Sequence, residues 1–83
     1  MARERAELLG WEFESGHFDA KTQELMLWVA CLAAHNAPGA DLHKDHALRA
    51  GATDGELREA ASFAMRAAAV RIRDMAAAIL EGK

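Results

Sequence analysis

Eight apolar residues follow one another from Leu25 to Leu32, LMLWVACL, in the middle of a segment with helical composition. A helix that is apolar all round has to be covered all round. The predicted helix is Ala20–His35, with Asp19 as its N-cap. Ahead of it, Ala2–Ser15 also has helix-forming composition, with Leu8, Leu9, Trp11 and Phe13 as apolar content and Gly16 placed to end it. After it, Asn36-Ala37-Pro38-Gly39 breaks the chain, and Pro38 suits the first turn of a new helix. A third helix is expected over Ala40–Ala50, with His43, Ala47 and Ala50 on one face at i, i+4, i+7 spacing. Gly51 stands where a left-handed C′ glycine belongs. Thr53-Asp54-Gly55-Glu56 then reads as a capping box. From there Leu57, Ala61, Ala64, Ala68, Ile72, Met75 and Ile79 recur at steps of three and four. That stripe fits one long helix, or two with a bend near Ala67–Val70.

Composition reinforces the helical reading. About a quarter of the 83 residues are alanine, the strongest helix former, and there is one proline. The expectation is one all-α domain over residues 1–83, an antiparallel helical bundle. So small a chain can hardly cover the Leu25–Leu32 helix alone, which predicts a homo-oligomer whose interface includes part of it. The net charge of -3 and a pI near 5.7 argue against a nucleic-acid or anionic-membrane surface. The charged start MARERAELLG lacks the apolar core of a signal peptide, and the ten-residue apolar run Leu25–Ala34 is too short to span a bilayer. A single cysteine, Cys31, makes neither an intrachain disulfide nor a zinc cluster, and fits a small buried hydrophobe. A cytoplasmic location is expected.

Three spaced signals go further. They are Phe18–Met26 (FDAKTQELM), His43 followed eight residues later by Gly51-Ala52-Thr53, and the continuation Glu56-Leu57-Arg58-Glu59-Ala60. Together they resemble the carboxymuconolactone decarboxylase and alkyl hydroperoxidase D-like superfamily, over roughly residues 18–65. The resemblance implies a helical bundle assembled as a homotrimer or homohexamer. It puts Glu24 on the family's proton-relay glutamate and His43 on its active-site histidine. The peroxidase branch would carry cysteines seven and four residues before that histidine, and those positions hold Asn36 and Gly39. Peroxide reduction needs a thiolate, so that chemistry is disfavoured. The decarboxylase branch does without the cysteines and implies an acid/base lyase acting on a small lactone or carboxylated metabolite, with no cofactor.

In that reading His43 is the general acid/base, Glu24 its orienting partner, Asn36 a polar contact at the pocket mouth and Arg49 a candidate for the substrate carboxylate. Arg66, Arg71 and Arg73 fit the solvated face of a long helix. The alternative is an oligomeric scaffold or small-ligand-binding protein that kept the fold, with Glu24 and His43 as a structural pair. His35, His43 and His46, with Glu24, also suggest a metal site. Histidines at i, i+3 are common on solvated faces, however, and His35 ends a different helix, so no metal centre is expected. Trp28 belongs to core or interface, Trp11 and Phe13 to pocket or subunit contact, and His17 carries no signal.

Overall fold

The computed structural model describes residues 17–82, so the helix expected at Ala2–Ser15, with Trp11 and Phe13, lies outside the described residues. Within them the chain is all-α: α1 (Ala20–Ala33), α2 (Ala37–Arg49) and α3 (Asp54–Leu80), with no strand. The central helix is α1, and both α2 and α3 pack against it. No helix among the described residues is long and apolar enough to cross a membrane.

The helix ends explain the boundaries. Asp19 caps α1, its carboxylate accepting the Thr22 N–H at 2.7 Å, and hydrogen bonding from the Thr22 side chain, then from this N–H, lowers its pKa. The helix stops at Ala33, two residues short of His35. There the chain closes a Schellman turn, in which Asn36 N–H donates to Cys31 O at 2.8 Å and His35 N–H to Leu32 O at 3.1 Å. His35 takes the left-handed position, φ 57°, that glycine usually fills, so the helix ends just ahead of the expected break at Asn36-Ala37-Pro38-Gly39. Asn36 then caps α2 directly, so this helix begins at Ala37 and not at Ala40, with Pro38 in its first turn.

The second junction repeats the device with the residue the motif prefers. Gly51, φ 100°, donates to Leu48 O, and Ala52 N–H reaches back to Ala47 O at 2.9 Å. The capping box follows as expected: Thr53 Oγ1 accepts from Glu56 N–H at 3.0 Å and Thr53 N–H donates to Glu56 Oε1 at 2.9 Å. The Thr53 bond, together with Lys21 across from α1, lowers the Glu56 pKa.

Small residues form the centre. Among the described residues Ala40, Ala47, Ala52, Leu57 and Ala60 are the buried apolar positions, and Leu57 is the one large side chain among them. Leu25 and Trp28 of α1 pack on Ala47, Ala52 and Leu57, and Trp28 Nε1 donates to Leu57 O at 2.9 Å. Alanine at these contacts lets helix backbones approach closely, which later decides how far a glutamate on α1 can reach.

Helix α3 is one unbroken helix of 27 residues, about 40 Å at 1.5 Å per residue. Its partner α1 has 14 residues, so α1 covers only the first part. Leu57 is buried and Ala61 and Ala64 are half-buried, but Ile72, Met75 and Ile79 on the same stripe are exposed. The radius of gyration, 16.2 Å, exceeds the roughly 12 Å of a compact domain of this length.

Candidate functional site

Two helix faces meet at the pair the sequence singled out. On α1, Lys21, Leu25 and Trp28 turn toward α3, while Glu24 reaches α2. On α2, His43 lies between buried Ala40 and Ala47 on the face that packs inward. Between these alanines the helices come close enough for His43 Nδ1 to stand 2.7 Å from Glu24 Oε2. A carboxylate only accepts, so Nδ1 carries the proton of this bond and Nε2 remains for another partner.

The pair is shielded without being sealed. Side-chain exposure is 19% for His43 and 17% for Glu24. His46, one turn on from His43, lies at the rim with its Nδ1 3.7 Å from the same Glu24 oxygen. The two imidazoles stand edge to face, centroids 5.6 Å apart. His46 is the residue that sequence reasoning undervalued. Its i, i+3 spacing from His43 was the available signal, and the solvated-face reading set it aside. His35 is exposed in the α1–α2 turn and belongs to no such group.

The remaining expected residues divide. Asn36 spends its side-chain oxygen on the α2 cap, accepting the Gly39 N–H at 3.0 Å, which leaves its amide nitrogen as a donor. Arg49 is exposed at the end of α2, one turn past His46, and makes no ion pair with the described residues. The cation nearer in sequence, Lys44, is already engaged by Asp41 at 3.3 Å and Asp45 at 3.6 Å, and these carboxylates raise its pKa, the Asp41 hydrogen bond first. Arg66 lies over the Phe63 ring and Arg73 pairs with Asp74, both on α3.

Cys31 is half-buried, less enclosed than a core hydrophobe, because α1 has cover on part of its circumference only. It faces the first turn of α2 at Gly39. A β-carbon at Gly39 would lie 2.6 Å from Asn36 Nδ2 and 2.9 Å from both Asn36 Cγ and Cys31 Sγ. Gly39→Ala is therefore expected to destabilise the protein by about 1 kcal/mol. Overpacking costs about 1–3 kcal/mol and outweighs the helix propensity of roughly 1 kcal/mol that alanine recovers. A urea midpoint equal to or above the parent's would show that Asn36 and Cys31 swing aside freely.

Residues 1–81 match the family model described as "Carboxymuconolactone decarboxylase family". No curated protein and no solved structure matches the chain.

Proposed function

Because the chain belongs to the carboxymuconolactone decarboxylase family, we propose that it is a lyase that removes carbon dioxide from a small lactone or similar carboxylated metabolite. His43 is the general acid/base and Glu24 its orienting partner. The observation that carries this reading is the 2.7 Å His43–Glu24 contact between α1 and α2, placed where both side chains keep some access to solvent.

The chemistry asks little of the protein beyond placement and one proton. Breaking the C–CO2⁻ bond releases CO2 and leaves the bonding pair on carbon, delocalised into the lactone carbonyl as an enolate. The Nε2–H of protonated His43 then delivers a proton to that carbon, and the ring regains one from solvent. Glu24 fixes the ring through Nδ1 and offsets the imidazolium charge while it exists. Asn36, at the start of α2, and Arg49, at its end, enter this proposal as separate candidate contacts for the substrate's polar groups. The test is CO2 release from compact carboxylated lactones by the parent protein and by His43→Ala. Equal rates in the two proteins overturn the assignment.

The assembly belongs to the same proposal: a homotrimer or homohexamer. What supports it is the apolar stripe of α3, continuous in sequence from Leu57 to Ile79 but covered only near its start, with Ile72 61%, Met75 59% and Ile79 70% exposed. Scattered exposed apolar residues are ordinary, whereas a periodic row of this length marks an interaction surface. A second copy presents the same row, and closed symmetry lets equal surfaces cover one another. Light scattering at micromolar concentration should give three or six times the 9.0 kDa chain mass. A monomer at that concentration ends the proposal.

A further inference from the structure

Glu24, His43 and His46 bring one carboxylate and two imidazoles to one point, with their ligand atoms all within 4.8 Å of one another. We propose that these three residues form a binding site for a borderline divalent transition-metal ion, zinc first. The inference goes beyond the acid/base reading, since it rests on His46, which that reading does not use.

The donor set fits the ion's chemistry. Imidazole and carboxylate suit zinc and its neighbours in the first transition series, whereas calcium and magnesium take oxygen donors. Two histidines and one acidic residue are also a ligand set of catalytic zinc sites, which keep a further position open for water or substrate.

The geometry is close to what such an ion requires. Bonds of about 2.0–2.2 Å at near-tetrahedral angles put neighbouring ligand atoms roughly 3.3–3.5 Å apart. Glu24 Oε2 lies 2.7 Å from His43 Nδ1 and 3.7 Å from His46 Nδ1, so these two separations straddle that value, and the ligand atoms of the two histidines lie within 4.8 Å of each other. Side-chain rotations that shift the Glu24 oxygen by under an ångström would open the first contact and close the second. The ion would replace the proton now shared by Glu24 and His43, so metal and hydrogen bond are alternative occupants of one place.

The scaffold favours the arrangement. His43 and His46 are one turn apart on α2, a spacing that presents both rings to a common neighbour, and the backbone between them is regular helix. Glu24 comes from α1, so the ion would also tie two helices together. His46, with 39% side-chain exposure, supplies the entry path from solvent.

The experiment uses the full chain without a histidine tag, stripped with chelator and titrated with Co²⁺ and then Zn²⁺. The expected result is one equivalent of Co²⁺ per chain with visible d–d bands, which Zn²⁺ displaces. His46→Gln should weaken binding at least about tenfold and His35→Gln should leave it unchanged. Less than about a tenth of an equivalent bound, or equal affinity in parent and His46→Gln, overturns the site. Should His46→Gln lose its helical circular-dichroism signal, imidazole ¹⁵N shifts in the parent decide. Zinc must move the His43 and His46 rings and leave His35 in place, and any other pattern ends the proposal. Occupancy is read without turnover, so failure of the metal site and failure of the lyase reading are seen separately.

Discussion

Replacing His43 with alanine is expected to lower decarboxylation a hundred- to ten-thousand-fold while the helical signal and the assembly persist. The magnitude is what a positioned general acid/base ordinarily supplies. The loss should fall on kcat, because the imidazole acts on the carbon that takes up the proton and not on the groups that hold the substrate. Two features set where in that range it falls. Glu24 stays behind at 17% exposure with one remaining histidine, His46, at 3.7 Å. If His46 swings in as a substitute acid, the loss sits near the lower bound, and the double variant with His46→Ala reaches the upper. His43→Gln separates geometry from chemistry. Its amide can still donate to Glu24, so it should keep the α1–α2 contact and still lose turnover. Activity within a few-fold of the parent in both single variants would leave Glu24 and His43 as a structural pair only.

Leu57→Ala is expected to cost about 2–4 kcal/mol, a large share of the stability a chain of this size has. Removing a buried leucine leaves a cavity as well as lost transfer energy, and such substitutions cost about 2–5 kcal/mol. Leu57 is 6% exposed and, among the described residues, is the only large side chain in a buried centre otherwise made of alanine. The hole would open beneath Leu25 and Trp28, which have no other buried leucine or isoleucine among the described residues to close upon. A chain of this length has roughly 4–12 kcal/mol of stability to lose from. Urea denaturation followed by tryptophan fluorescence, at fixed protein concentration because assembly contributes, gives the value. A shift below about 1 kcal/mol would place the stabilising core elsewhere.

The part of the fold that sequence made legible is local. Asp19, Thr53 with Glu56, and Gly51 act within one turn of where they stand, so their roles followed from residue type and spacing and recur in the structure. At the first junction the helix ends differ from expectation by two residues for α1, Ala33 against His35, and three for α2, Ala37 against Ala40. Its left-handed position holds His35 where glycine is the usual signal, and its cap is Asn36, a residue whose spacing from His43 equally suits the pocket mouth. Neither departs from physical rules, since asparagine is a strong N-cap and histidine tolerates positive φ better than branched residues.

The site was half legible. Glu24 and His43 could be paired because the family resemblance fixes their positions, and residues 1–81 bear that family out. His46 could not be added from spacing alone. Whether an i+3 histidine looks inward or into solvent depends on how α2 is rotated against α1, and that rotation is set by Ala40 and Ala47 packing on the facing helix.

Sequence by itself determined that this chain is helical, where the Asp19 and Thr53 caps fall, that it belongs to the carboxymuconolactone decarboxylase family, and that asparagine and glycine stand where a cysteine pair would be needed for thiol chemistry. These follow from propensities and short-range hydrogen bonds, which a linear chain carries in full. Tertiary structure alone decided that Glu24 meets two histidines, that Cys31 abuts Gly39, and that the α3 stripe outruns its cover. Each depends on the distance between helix backbones and on their relative lengths in space. Those quantities arise when small residues let the helices close on one another.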